Sequence, residues 1–309
     1  MQYNIRHTTQ LQYSQAAVHS LNYCHLKPRQ VGNQTISKFD LTIDPAPADR
    51  WDHVDYFGNP TTFFSMQQTH QTLTITARWN LEVLSRNSQV AVKSTSPPWE
   101  AIRDEVHSGG GVTNGNAPTL FPNSANLVSE FCFDSHYIRR NAELKEYAEE
   151  SFSPRRPYLE GVFDLMERVY RDFEYDPVAT DLATPLKKVL KERRGVCQDF
   201  AHLAIGCLRS IGLPARYVSG YLKTEPPPGS PRLIGADASH AWFSVPLPHS
   251  TDWLDLDPTN NTEVNTDHIT LSWGRDYDDV SPLRGVVHGG GQQGLHVAVD
   301  VIPQPEKVG

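Results

Sequence analysis

Three kinds of side chain that can act together on an amide carbonyl stand in order along the C-terminal half of this chain: a cysteine, a histidine and a carboxylate. In Arg194-Gly195-Val196-Cys197-Gln198-Asp199-Phe200-Ala201 the cysteine follows a glycine break and opens a helical pattern. The apolar positions Phe200, Leu203, Ala204, Cys207, Leu208 and Ile211 follow helical spacing, with Cys197 on the same stripe. That spacing predicts a thiol at the N-terminus of a core-anchored helix. Free N–H groups and the positive dipole end there favour the thiolate, the nucleophilic form. Ser239-His240-Ala241-Trp242 puts an imidazole at the start of a strand, and Asp255-Leu256-Asp257-Pro258-Thr259-Asn260 puts a carboxylate at the end of the next. A cysteine nucleophile needs a base, and the base needs an acceptor on its other nitrogen to fix tautomer and orientation. Asp255 and Asp257, two apart in a strand, share a face, so spacing alone leaves both open as that acceptor.

The elements that must position these groups fall into two regimes. Residues 1–95 read as short alternating strands, such as Ile36 to Ile43 and Leu73 to Thr76, broken by turns at Asp44-Pro45-Ala46-Pro47 and Gly58-Asn59-Pro60; this predicts an antiparallel β-sandwich. Residues 96–156 read as a linker with helices, opened by Pro98-Trp99-Glu100 and crossed by the glycine loop at 109–117. Residues 157–309 read as a second domain that carries the chemistry. Helices are expected near 142–152, 157–174, 184–193 and 197–211. Gly212-Leu213-Pro214 stops the last of them, and strands follow at 215–222, 240–247, 253–256 and 295–302. The fold class is therefore α+β, with helices packed on an antiparallel sheet.

Composition narrows the setting. With 309 residues, 38% hydrophobic and 21% charged, the chain is globular and long enough for two cores. A formal charge of −8 argues against nucleic-acid and anionic-membrane partners, which need a concentrated basic patch. The dense basic run Lys187-Lys188, Lys191, Arg193 and Arg194 reads as a solvated helix face. Met1-Gln2-Tyr3-Asn4 lacks a signal-peptide core, no uncharged run reaches membrane-spanning length, and the four cysteines are widely spaced. The expectation is a cytoplasmic protein with reduced thiols. Oligomeric state is not legible at this level.

Gly195-Val196-Cys197-Gln198-Asp199-Phe200-Ala201, Ser239-His240-Ala241-Trp242 and Asp257-Pro258-Thr259-Asn260 together resemble the bacterial transglutaminase-like superfamily, whose members share a papain-like cysteine–histidine–aspartate fold. The resemblance covers nearly the whole chain. Leu26-Lys27-Pro28-Arg29 and Asp55-Tyr56-Phe57-Gly58-Asn59 resemble the family's β-rich N-terminal region, and Trp273-Gly274-Arg275-Asp276-Tyr277 with Val280-Ser281-Pro282 its C-terminal portion. The resemblance implies Cys197 as nucleophile, His240 as base and Asp257 as orienting carboxylate. His249-Ser250-Thr251 departs from the family's turn, which bears on loop length and not on the triad.

The implied reaction is acyl transfer. The Cys197 thiolate attacks an amide carbonyl, His240 protonates the leaving amine, and a thioester remains for water or a second amine. A helix terminus and a charged imidazole would lower a thiol pKa from about 8.5 toward roughly 3.5–7.5. The Cys197 N–H is a natural oxyanion donor; Gln198 and Tyr175 are candidates for the second, and Trp242 for a wall of the pocket. Expected partners are a peptide or protein amide and, for transfer, a primary amine. Peptide hydrolysis ranks ahead of transglutamination, since transfer requires loops that shield the thioester from water. The glycine loop 109–117 and the proline-rich loop 224–231 are the candidate gates. A non-catalytic peptide-binding module on the same fold is the competing class, although such a module has no need of a complete triad.

Each residue also has a plainer reading: a buried cysteine, a satisfied strand histidine, a turn aspartate. Their order and flanking residues favour chemistry. Cys207 reads as core, and His202 as structural or exposed. His288-Gly289-Gly290-Gly291 lacks the Gly-x-Ser-x-Gly elbow of a lipase and reads as a turn. Residues 109–111 lack a phosphate-binding ending. Cys132 with His136 is too little for zinc, so neither a metal nor an organic cofactor is expected.

Overall fold

The computed structural model describes residues 1–108, 120–121, 125–180, 184–224 and 239–304. Its N-terminal part is organised by one long strand, β1 (Gln2–Cys24), in which Tyr3, Ile5, His7, Thr9, Leu11 and Tyr13 alternate as buried positions with more exposed neighbours. This period of two commits one face to the core. The strands β2 (Gln34–Asp44), β3 (Asp49–Val54), β4 (Pro60–Met66) and β5 (His70–Val83) form with it the antiparallel order β2-β5-β1-β4-β3.

The helical part follows: α1 (Trp99–His107), α2 (Ala125–Ser129), α3 (Ala142–Glu149), α4 (Tyr158–Asp172), α5 (Leu186–Glu192) and α6 (Cys197–Ser210). Two short strands, β6 (Glu174–Tyr175) and β7 (Arg194–Gly195), pair in parallel beside the start of α6. A five-stranded sheet, ordered β11-β10-β9-β8-β12, is built from β8 (Arg216–Leu222), β9 (Ser239–Pro246), β10 (Trp253–Asp257), β11 (Thr262–Glu263) and β12 (His268–Gly274). A short helix α7 (Tyr277–Val280) then leads to β13 (Leu283–Gly289) and β14 (Gln293–Pro303). The α+β class and the antiparallel sheets agree with the sequence reading.

The domain boundaries read from sequence need correction at two places. β13 and β14 do not extend the second domain's sheet: β13 pairs with Ala17–Cys24 and β14 with Tyr3–Tyr13, both on β1. The chain returns to its own beginning, and the N-terminal sheet is seven-stranded only with its C-terminal strands. Sequence alternation identifies a strand but not its partner, which is why this pairing was not legible. The hairpin between them turns through Gly289, Gly290 and Gly291, all at positive φ (87°, 83° and 64°), a conformation that glycine adopts without steric penalty. Second, the 96–156 segment is not a linker, because Ile102 and Val106 of α1 and Leu144 and Tyr147 of α3 lie in the same core as α4 and α6.

Helix α6 is buried from Asp199 to Arg209, with Leu203, Ala204, Ile205, Cys207 and Leu208 fully enclosed. Truncating such a residue, Leu203→Ala for example, costs about 2–5 kcal/mol. Its far end is fixed by Arg209, whose guanidinium donates to the carbonyls of Phe131 (2.8 Å), Ala215 (2.8 Å) and Arg275 (2.7 Å). The five-stranded sheet supplies Tyr217, Ala241, Phe243 and Leu256 to the helical core, while Tyr221, Ile269 and Leu271 join the core of the N-terminal sheet. Two buried amides lock the sheets together. Gln34 bonds both N–H and C=O of Thr270 (2.9 and 2.8 Å), and Asn59 bonds both of Trp273 (3.0 and 2.9 Å).

Candidate active site

The polypeptide entering α6 runs extended through Val196 (φ −113°, ψ 177°), so Cys197 is the first helical residue. Asp199, one turn in, accepts from the Val196 N–H at 2.9 Å and from Thr180 Oγ1 at 2.6 Å. This anchors the helix start with an acidic side chain at the positive dipole end. Gly195 gives Asp199 its place, since a Cβ there would lie 2.8 Å from the Asp199 Oδ2. The Cys197 N–H lies ahead of the first main-chain helical bond, Phe200 N–H to Val196 O at 3.1 Å, and belongs to the free donors of a helix start.

His240, near the beginning of β9, is 8% exposed and reaches two partners. Its Nε2 lies 2.7 Å from Asp257 Oδ2, and its ring interacts with the Cys197 side chain in the cavity that both line. With Nε2 taken by the carboxylate, Nδ1 is the nitrogen left to the thiol. Burial opposes the imidazolium, but the hydrogen bonds and charges of Asp257 and Cys197 outweigh it and push His240 up to about 10. His240 therefore carries its proton at neutral pH.

Asp257 ends β10 and is fully buried. Burial alone would raise its pKa; hydrogen bonds from His240, His268 and Asn260 hold it well below the usual carboxylate range. Oδ2 receives His240 Nε2, His268 Nε2 at 3.1 Å and Asn260 Nδ2 at 2.6 Å, while Oδ1 receives the Thr259 N–H at 2.9 Å. Asp255, which spacing left as a competitor, ion-pairs instead with Arg86 at 2.7 Å. Asn260 belongs to the Asp-Pro-Thr-Asn run that drew attention to Asp257, whereas His268 comes from β12 and carries no local signature.

Three further sequence candidates are distributed unevenly. Gln198 lines a cavity of about 280 Å³ together with Cys197 and His240. Tyr175, paired with Gly195 on β6, is 54% exposed and does not line that cavity. Trp242 is not a cavity wall either. It is fully buried, its ring edge-on to His268 at 5.4 Å, in space left by Gly220, where a Cβ would collide with the indole. His202 proves structural and buried: its Nε2 accepts from the Tyr277 N–H at 3.1 Å, and desolvation lowers it to about 4. Cys207 is core, and burial pushes its thiol up to about 12. Residues 109–117 and 225–231 of the candidate gates lie outside the described residues.

Sequence reasoning missed the opposite wall of the cavity. It is formed by the N-terminal sheet, through His7, Leu11 and Tyr13 of β1, Val286 of β13, and Leu295 and Val297 of β14. Nothing local announces this, since the wall exists only once the two ends of the chain pair. Among the described residues, the histidine, cysteine and acidic ligand atoms that converge as a metal would require are those of His240, Asp257 and His268, within 4.8 Å of one another. The same atoms hydrogen-bond each other, so an ion there would replace the protons that orient the imidazoles. Among the described residues, no helix is long and apolar enough to cross a membrane.

Residues 3–82 match the family model described as the bacterial transglutaminase-like N-terminal region, and residues 145–258 match the transglutaminase-like superfamily. An uncharacterized protein of Mycobacterium tuberculosis is 41% identical over 97% of this chain and 92% of its own length. A protein-glutamine gamma-glutamyltransferase of Pseudomonas aeruginosa is 31% identical over 31% of this chain and 15% of its own. The fold matches the crystal structure of a "Putative Cysteine Protease" from Cytophaga hutchinsonii, with a TM-score of 0.73, 18% identity, and coverage of 99% of this chain and 92% of that one. The chain belongs to the transglutaminase-like superfamily.

Proposed function

We propose that this protein is a thiol-dependent acyl-transfer enzyme that hydrolyses peptide or related amide bonds, with Cys197 as nucleophile, His240 as acid and base, and Asp257 as orienting carboxylate. The observation that carries the reading is the double engagement of His240, on Cys197 through one side of the ring and on buried Asp257 at 2.7 Å through the other. In this reading the Cys197 thiolate attacks the carbonyl carbon, and the Cys197 N–H supports the developing oxyanion. The imidazolium of His240 gives its proton to the leaving amine, and the neutral ring then takes a proton from the water that opens the thioester. Gln198, in the cavity wall, is the candidate for a second oxyanion donor.

Transfer to an amine is the second reading, favoured by the partial similarity to a protein-glutamine gamma-glutamyltransferase. The test is incubation of the wild type and Cys197→Ala with a peptide pool, with and without a labelled primary amine. New peptide termini, or glutamine side chains converted to glutamate, that require Cys197 support hydrolysis, and label incorporation with suppressed hydrolysis supports transfer. Neither product with the wild type would favour a peptide-binding module.

A further inference from the structure

The cavity that holds the candidate nucleophile has two walls of different chemistry, and the second allows its substrate to be narrowed. One wall carries Cys197 and His240; the other belongs to the N-terminal sheet and combines the aliphatic Leu11, Val286, Leu295 and Val297 with polar side chains such as Thr9 and Asn22. Three of these aliphatic side chains are open to solvent: Val286 is 75% exposed, Leu295 64% and Val297 41%. Contiguous exposed aliphatic surface beside a reactive group marks a binding surface.

Charge sharpens the assignment. The chain carries a formal charge of −8, yet among the described residues lining this cavity there is no carboxylate. Arg284 of β13 supplies a cation, held by its Nη1 donating to the Asp278 carbonyl at 3.1 Å and by its position over the Tyr23 ring at 5.0 Å. His7, also in the wall, is lowered to about 4 by burial and is neutral at physiological pH. A positively charged side chain would lose its hydration there with no carboxylate among the described lining residues to receive it.

We propose that the N-terminal sheet is the acyl-side specificity wall of this site, selecting substrates with an apolar side chain next to the reacting carbonyl and discriminating against a cationic one. This rests on the reading of Cys197 as the nucleophile. The acyl side is the half that stays attached through the thioester after the amine has left, so a wall continuous with Cys197 contributes to both halves of the reaction. A cavity of about 280 Å³ holds one or two side chains and not a folded segment.

The test uses three alkylating probes of equal length, N-acetyl-leucyl, N-acetyl-glutamyl and N-acetyl-lysyl chloromethyl ketones. Each alkylates the active thiol with loss of chloride, and inactivation is compared with labelling by iodoacetamide, which is too small to need the wall. The wild type is expected to react with the leucyl probe at least tenfold faster than with the lysyl probe, with the glutamyl probe between. Leu295→Asp and Val297→Asp, at exposed positions, should reduce the leucyl rate at least tenfold and leave the iodoacetamide rate within twofold; Leu295→Ala should give an intermediate loss. Equal leucyl and lysyl rates, or an unchanged leucyl rate in both aspartate variants, with rapid iodoacetamide labelling retained, would overturn the wall and leave the nucleophile standing. Slow iodoacetamide labelling of wild-type Cys197 would overturn both.

Discussion

Asp257 and His268 meet at a single oxygen: His268 Nε2 lies 3.1 Å from the same Oδ2 that holds His240 at 2.7 Å. His268 is in turn held by Asn265, whose Oδ1 lies 3.2 Å from its Nδ1. A buried carboxylate with one imidazole could swing or take up a proton; with a second donor and Asn260 it is kept ionised and fixed. This makes His268 a positioning residue. In His268→Asn the lost donor to a charged acceptor, worth roughly 1.5–3 kcal/mol, is expected to lower kcat about tenfold or more. Because the remaining carboxylate is easier to protonate, the acid limb of the kcat/KM profile should move to higher pH. A purely structural role would lower Tm and leave that limb in place.

Asp257→Asn should be more severe. It replaces the anion that keeps His240 charged by a neutral amide that can also present a donor to Nε2. A loss of roughly 10²–10⁴-fold in kcat is expected, the range for removing acid–base function. The check is steady-state turnover alongside circular dichroism.

Stability should decline on both sides of neutrality, for separate reasons. His7 and His202 are each lowered to about 4 by burial. Their folded pKa values lie below the unfolded value near 6.5, so their contribution is full above 6.5 and is lost as pH falls through 4. His240 is raised to about 10, so its contribution is full below 6.5 and is lost as pH rises through 10. Thermal melts from pH 4 to 10 should show Tm falling toward each end. His240→Ala should flatten the alkaline side, and His202→Gln the acid side.

Gly220→Ala tests the packing beneath the histidines. The added Cβ would collide with the Trp242 ring and with the Ile269 carbonyl, which is backbone and cannot turn aside. A destabilisation of about 1–3 kcal/mol is expected from overpacking, read from urea melts, together with a loss of turnover as Trp242 shifts against His268.

Much of this site was legible because its parts carry local signals. Glycine followed by cysteine at the head of an amphipathic helix located α6 and Cys197. A histidine opening one strand marked His240, and the next strand offered Asp255 and Asp257, between which the resemblance of Asp257-Pro258-Thr259-Asn260 to the family favoured Asp257. What was not legible depends on pairing between distant residues. His268 reaches Asp257 through the β8–β12 pairing, and Val286, Leu295 and Val297 face the cavity because β13 and β14 add to β1. Trp242, two residues from His240 and on the same strand face, drew a role as a pocket wall, but it is fully buried against His268 and does not line the cavity.

Alkylation reads out whether Cys197 and His240 form a working pair. Iodoacetamide labelling of each cysteine is followed by peptide mass spectrometry across pH, in the wild type and in His240→Ala. Cys24, Cys132 and Cys207 are internal controls, since burial pushes each thiol up to about 12. For a working pair, labelling at Cys197 stays fast below pH 7, is abolished by His240→Ala, and leaves the three controls untouched in the native protein. Labelling of Cys197 only near the pH of an ordinary thiol, about 8.5, and unchanged by the substitution, would contradict it.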